Sequence, residues 1–383
     1  MKEGWEYKTL GEVAKVFAGG DVPKNRMSKC KKEPFIIPIY TNGIENEGLY
    51  GYTDIARVND LSLTISARGT IGAIFKRNNP FFPAIRLITV CPQNIVDINF
   101  LYYVLLNSTF TKSGTTIPQL TVPMLKQYRF AIPENISIQQ NIANYLDSSF
   151  KLIDEIKNKA LKSLTEAKAL FQSALAEAME PKEGWEEKTL GECCDKINGL
   201  WKGKKPPFIY VGVIRNANFT KKMTLDFSNI EYLDVEVKQY NSRKLKRGDL
   251  IIEKSGGSEK QPVGRAVLFL KGDGEYSFSN FTSVLRIKNN EELNYYFLYY
   301  FLLYIYQRGD TKTMQKATTG IHNIEFEKYL NIKIPIMSLN EQRRIVSYLD
   351  KLSSKVQAIE EKYQKMVEEC DALKQAMLRD VFE

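Results

Sequence analysis

The chain repeats itself, and that repeat limits its architecture more than any other feature. Lys2-Glu3-Gly4-Trp5-Glu6 returns as Lys182-Glu183-Gly184-Trp185-Glu186, and Lys8-Thr9-Leu10-Gly11-Glu12 as Lys188-Thr189-Leu190-Gly191-Glu192, at an offset of 180 residues. The agreement resumes at the far end of each copy. Ile132-Pro133 and Ile334-Pro335 each precede a long helical stretch, and Tyr145-Leu146-Asp147 matches Tyr348-Leu349-Asp350. A period this long means duplicated domains, not a solenoid. The order read from it is a globular domain (1–136), a long helix (137–180), a second globular domain (181–337) and a second long helix (338–383). Pro133 and Pro335 stand before the helices and Pro181 just after the first, where proline is expected.

The second helix places Ile345, Leu349, Leu352, Val356, Ile359, Tyr363, Met366, Cys370, Leu373 and Met377 at alternating steps of four and three, a heptad seam. The first gives Ile142, Leu146, Ser149, Ile153, Ile156, Ala160, Ser163, Ala167, Leu170 and Ala174 at heptad spacing. Small residues on one seam and large ones on the other make the helices partners in an antiparallel coiled coil. Each should be roughly 60 Å long. Leu152, Leu161, Leu164, Phe171 and Leu175 fall off the first seam and suggest faces for other chains.

Within each globular segment, short apolar runs alternate with turn residues. Strands are expected at 34–40, 61–66 and 84–91, with an aromatic helix at 99–107. The second segment repeats them at 208–213, 249–253 and 283–287, with a helix at 293–306. The fold class is therefore mixed α/β (α+β), with two domains, two long helices and a pseudo-two-fold internal repeat. The edges of the two copies agree while their middles diverge, which suits two related but distinct recognition tasks.

The 43% apolar and 26% charged composition is that of a globular protein. No run of about 18 apolar residues could span a membrane, and MKEGWEYKTL lacks a secretory apolar stretch. Five scattered cysteines with no CxxC suggest a reducing, cytoplasmic setting and no zinc site. A net charge of +9 favours an anionic partner, nucleic acid first.

Catalytic motifs are scarce. One histidine, His322, cannot supply a histidine triad in each repeat. There is no GxxxxGK[ST], no GxGxxG and no Asn- or Asp-Pro-Pro-Tyr. Asp234-Val235-Glu236-Val237-Lys238 resembles a metal-dependent nuclease strand only superficially. His322 reads as a loop or packing residue, not a catalytic base.

Binding motifs are better represented. Arg68-Gly69-Thr70-Ile71-Gly72 and Lys254-Ser255-Gly256-Gly257-Ser258 each follow a strand and join a cation to glycines and hydroxyls, as phosphate-approaching loops do. Lys260, Gln261 and Arg265 extend the second. Tyr40, Asn42, Arg215, Asn216 and Asn218 are placed at strand ends, where asparagine and glutamine can read adenine and arginine can read guanine. A further polar loop holds Gln119 beside Lys112. Its counterpart holds His322 and Asn323 beside Lys316.

This layout resembles the DNA-specificity subunit of type I restriction-modification enzymes. The resemblance rests on GWE-x-K-T-L-G-E at the head of each half, on Gly-Thr-Ile-Gly and Gly-Asp-Leu-Ile-Ile-Glu-Lys-Ser-Gly-Gly, and on Glu341-Gln342-Arg343-Arg344-Ile345. At the first boundary Ile138 stands where Glu341 stands, leaving Gln139 and Gln140. The resemblance implies a non-catalytic subunit whose two target-recognition domains read the halves of a split, asymmetric site in double-stranded DNA. The helices would act as spacers and dock two methyltransferase subunits, which carry S-adenosylmethionine. A restriction motor subunit could complete the complex. Two other readings remain open from sequence: a self-contained nuclease or methyltransferase, and a coiled-coil adaptor that binds only proteins.

Overall fold

The computed structural model describes residues 4–108, 110, 119–201, 203, 205–259, 261–318 and 320–383. The chain divides into two compact units. One is Met1–Leu161 with Gln364–Glu383, and the other is Lys162–Tyr363. Each long helix therefore starts in one unit and ends in the other. The first is Ile136–Met179 and the second Leu339–Phe382.

In the first unit the repeated head motif forms the strand Trp5–Thr9 and a single helical turn, Leu10–Val13. The turn forms because Glu12, three residues on, reaches back to Thr9. Its carboxylate accepts the Thr9 amide at 2.6 Å and the Thr9 hydroxyl at 2.7 Å. Trp5–Thr9 then pairs antiparallel with Arg129–Pro133, the strand carrying the Ile-Pro boundary. Head and tail thus lie side by side. Between them sit two four-stranded sheets. One has the order Ala14–Ala18, Ile88–Pro92, Ser62–Ile65, Ile74–Arg77. The other has Met27–Ser28, Leu49–Thr53, Ile37–Tyr40, Phe82–Pro83. The helix Ile98–Asn107 covers the first sheet. Its core, Leu63, Val90, Phe100 and Leu101, continues onto Leu146 and Leu378 of the long helices.

The second unit repeats this plan. Glu186–Thr189 pairs with Lys333–Ile336, and Glu192 caps Thr189 in the same way. A four-stranded sheet orders Cys194–Asn198, Thr282–Ile287, Leu250–Glu253 and Ala266–Leu268 beneath the helix Tyr295–Arg308. Its core includes Leu175 and Met179 from one long helix and Ile345 and Leu349 from the other. A separate three-stranded sheet holds Glu231–Glu236, Phe208–Ile214 and Tyr276–Phe278.

The boundary motifs have specific structural jobs. Gln139 is fully buried. Its amide donates to the Pro133 carbonyl at 2.8 Å and the Ile95 carbonyl at 3.2 Å, and its oxygen accepts the Asp97 amide at 2.8 Å. In the second unit Gln342 makes the matching set, to the carbonyls of Met337 (2.9 Å) and Glu292 (2.7 Å) and the amide of Asn294 (2.8 Å). Each glutamine ties the start of a long helix to the tail strand and to the entry of the aromatic helix. The glutamate that differs between the two boundaries is peripheral. Glu341 pairs with the neighbouring Arg344 at 2.7 Å. In the Tyr-Leu-Asp motif the leucine enters the core, while the aspartate accepts a tyrosine hydroxyl, Tyr103 to Asp147 at 2.7 Å and Tyr300 to Asp350 at 2.6 Å.

The helices run antiparallel in the first unit, where Asp154 pairs with Lys374 at 2.5 Å and Lys157 with Asp371 at 2.6 Å, so numbers fall on one helix as they rise on the other. The seam itself differs from the sequence expectation at alternate positions. Leu146, Ile153, Leu349 and Val356 are buried as expected, and Leu352 and Met366 are half-buried. Ile156, Leu170, Ile359 and Leu373 are not in the seam; they are 49%, 57%, 40% and 51% exposed. The seam instead steps through Phe150, Lys157, Leu164 and Phe171, and through Lys374. Lysines occupy seam positions by lying along it with their stems while their ammonium groups reach aspartates. A count of apolar residues therefore selects the ladder one residue away. Leu175, read as off the seam, is fully buried in the second unit's core, whereas Leu152 and Leu161 are exposed.

Two outcomes follow from this packing. Leu146→Ala should lower stability by about 2–5 kcal/mol, while Ile156→Ala should change it by no more than about 0.5 kcal/mol, read by urea melts of the full chain; equal effects would restore the expected seam. Gln342→Ala strands two carbonyls and an amide in the interior and should cost about 3 kcal/mol, visible as an early transition of the second unit.

Candidate nucleic-acid interface

In the second unit the predicted glycine-rich loop is part of a small sheet. Ser255–Gly257 is a strand, paired with Ile321–Ile324, which forms a hairpin with Gln315–Thr318. The two polar stretches singled out in the sequence are thus one structure, brought together from 68 positions apart. The Ser255 hydroxyl meets Asn323 Oδ1 at 2.5 Å, and the Asn216 amide donates to the Ser255 carbonyl at 2.5 Å. Gly256 is required here. Its φ is +108°, and a Cβ would sit 3.2 Å from Asn216 Nδ2. Lys316 lies opposite Asn323 on the hairpin and is exposed. Asn216 Oδ1 and His322 Nδ1 are buried with no hydrogen-bond partner among the described residues.

Lys254 adjoins this sheet. Burial, and then the nearby charge of Lys196, push its ammonium below the usual lysine range; burial alone does so for Lys196, which sits 4.2 Å above the Phe326 ring. Among the described residues no carboxylate pairs with either lysine. Two such ammoniums, close enough for one to feel the other's charge, can together accept an anion such as a phosphate.

Other predicted residues serve the fold. Asn218, 2% exposed, is not a surface reader. Its oxygen accepts the Arg215 amide at 2.9 Å and its nitrogen donates to the Asn229 carbonyl at 3.0 Å, closing a turn. Arg215 is ion-paired with Glu231. Ser258 caps its own turn by accepting the Gln261 amide at 3.2 Å. The Gln261 side-chain oxygen, oriented toward Arg265, accepts from its guanidinium at 3.0 Å. Arg265 in turn pairs with the buried Glu253 at 2.7 Å. Lys260 lies outside the described residues. The Asp234–Lys238 stretch is divided, with Glu236 ending a strand and Lys238 in the helix Val237–Arg243. The Glu236 carboxylate accepts the Lys205 amide at 2.7 Å.

In the first unit Asn42 is a clamp. Its amide donates to the Ile85 carbonyl and its oxygen accepts the Ala67 amide, both at 2.7 Å. Tyr40 is a platform for the buried Arg77 guanidinium, 3.5 Å above its ring, which also reaches Glu47 at 3.0 Å and Thr64 at 2.9 Å. Arg68 is exposed and donates to Gln119 at 2.9 Å; the Thr70 hydroxyl has no partner among the described residues. Lys112 and Thr115–Pro118 lie outside the described residues.

Sequence reading missed one surface. Asp21–Arg26, Tyr50 and Ile85 line an open groove of about 830 Å³. Lys29 stacks on Tyr50 at 3.5 Å, and Arg57 lies 5.5 Å from the Phe82 ring. The available signal was the run Lys24, Arg26, Lys29, Lys31, Lys32. Arg26 is neutralised by Asp54 at 2.6 Å, and the other cations have no such partner among the described residues.

A family model described as the type I restriction modification DNA specificity domain matches the chain twice, over residues 2–166 and 182–369. The chain belongs to this family. Mycoplasma pneumoniae has a protein named as type I specificity subunit S.MpnORF89P, 38% identical over 156 residues, which are 40% of this chain and 46% of that one. The matches to it and to S.MpnORF507P thus span less than half of those relatives' length. A Haemophilus influenzae relative, type I restriction enzyme specificity subunit S.HindORF215P, is 28% identical over 377 residues, covering 93% of this chain and 89% of its own. The fold is shared with a chain from a study of type I R-M complex assembly (TM-score 0.74, 19% identity, 100% and 98% covered) and with the HsdS subunit of Thermoanaerobacter tengcongensis (TM-score 0.53, 19% identity, 100% and 97% covered). Among the described residues of this family member, no helix is long and apolar enough to cross a membrane.

Lys254→Gln should flatten the salt dependence of duplex DNA binding by about one unit of log–log slope, with sequence preference kept. An unchanged slope would remove Lys254 from the phosphate contacts.

Proposed function

We propose that this chain is the DNA-specificity subunit of a type I restriction-modification complex, without catalysis of its own. Residues 1–136 and 181–337 are its target-recognition domains and 137–180 and 338–383 its spacer helices. The observation that carries this reading is the duplicated unit. Each copy is closed by the same head-to-tail strand pair and buried glutamine, while the surfaces between differ. A common frame with two unlike polar faces suits a split, asymmetric site in double-stranded DNA. In the second unit Ser255, Lys316 and Asn323 gather on one small sheet, with Lys254 adjoining it. In the first, Arg68 and Gln119 stand beside the Asn42 clamp.

The partners are two methyltransferase subunits, each carrying S-adenosylmethionine, and a restriction subunit where the cell makes one. The complex acts in the cytoplasm. Ile156, Leu170, Ile359 and Leu373 support this docking role. They are apolar and exposed, and the family reading gives them a partner.

The test is base-resolved adenine methylation in cells with and without this chain, alongside the partner methyltransferase. A split motif should depend on the chain, and exchanging residues 1–136 for another recognition domain should change one half only. If no motif depends on the chain, the adaptor reading replaces this one.

A further inference from the structure

Among the described residues the first unit holds two pairs of left-handed, non-glycine residues, Asn46–Glu47 and Ile85–Arg86. The first pair has a packing reason, because the Glu47 carbonyl and carboxylate both accept from the buried Arg77. In the second pair only the backbone is held; neither the Ile85 nor the Arg86 side chain has a hydrogen-bond or ion-pair partner among the described residues. Ile85 and Arg86 are the centre of a turn closed by the Leu87 amide on the Ala84 carbonyl at 3.1 Å, with φ of +51° and +57°. Turns with both central residues left-handed take asparagine or glycine. A β-branched residue there is an outlier.

The surroundings hold this conformation firmly. The Ile85 amide donates to the Gly20 carbonyl at 2.8 Å, the Gly19 amide donates to the Leu87 carbonyl at 2.8 Å, and Asn42 holds the Ile85 carbonyl. The strand at Gly19 passes so close that a Cβ would lie 2.5 Å from the Pro83 carbonyl. Both side chains of the turn are nonetheless exposed. Ile85 lines the basic groove with Lys24, Asn25 and Tyr50, and Arg86 pairs with no carboxylate among the described residues. Strain of this kind collects where a ligand must be met in fixed geometry. A phosphate contact does not need it, since a lysine or arginine on any loop would serve; a base edge does.

We propose that the Ile85–Arg86 turn is the base-reading tip of the first recognition unit. Arg86 takes the O6 and N7 acceptors of a guanine. Ile85 lies against a neighbouring thymine methyl, and Lys24, Lys29 and Arg57 hold the flanking phosphates. This rests on the DNA-specificity reading above and assigns it residues that neither the sequence motifs nor the relatives point to.

The test uses the chain in complex with its methyltransferase subunits. Two variants are compared with the parent, Arg86→Gln and the double change Ile85→Asn with Arg86→Gly, whose side chains suit the turn. The double variant should melt no lower than the parent. Both should lose preference at one or two adjacent positions in one half of the methylation motif, with the other half intact. The parent should bind duplexes lacking the guanine roughly tenfold more weakly, and the variants should bind both duplexes alike. An unchanged motif overturns the inference, as does uniformly weaker binding with the motif kept, which would make Arg86 a phosphate contact. A parent complex that writes no split motif would instead overturn the specificity reading itself.

Discussion

Each unit depends on a single uncharged side chain set where three structural elements meet. Gln139 and Gln342 are buried amides, and each meets backbone groups of the tail strand and of the entry to the aromatic helix. Those groups sit where a helix starts and a strand ends, so neither element can satisfy them internally. Without the glutamine they would be buried and unpaired, or the helix would have to leave the sheet. The angle at which a long helix departs from its unit is thus set by hydrogen bonds, which are directional, on top of leucine packing, which is not. The Tyr103–Asp147 and Tyr300–Asp350 bonds, one turn or more along the same helices, fix the rotation of the helix about its axis.

Most of this frame was legible. The fold class, the two long helices and the internal repeat follow from periodicity and from motifs whose physical roles are now plain. Thr9-Leu10-Gly11-Glu12 is a capping box, Ile-Pro marks the tail strand, and the Tyr-Leu-Asp leucine is core. The seam was legible only by half. Periodicity finds apolar ladders, but the positions at Lys157 and Lys374 are amphipathic, and the apolar ladder beside them faces outward.

The polar surfaces were the least legible, because exposure and hydrogen bonding are set by tertiary neighbours. Asn42, Asn216 and Asn218 look alike in sequence. One clamps two loops, one approaches a glycine strand and one is buried within a turn. Ser255 and Asn323 gain their relation only when a strand and a hairpin pair across the unit. The groove at Asp21–Arg26 was overlooked because a run of lysines reads as an ordinary solvated stretch until aromatic rings and a second loop are found beside it.

The lysines of the helix seam also act on the assemblies that do not form. Two smooth apolar ladders could slide past one another by seven residues and lose little, giving several near-equal alignments. Here a slip one way would set Lys157 against Leu378 and Lys374 against Leu161, burying charge against hydrocarbon. A slip the other way would set Lys157 against the neutral Gln364 and Lys374 against Asp147, so that one of the two ion pairs is lost. Exposed ion pairs of this kind add little to stability. Their larger effect is to raise the energy of misaligned helix pairs, so that one register is selected during folding.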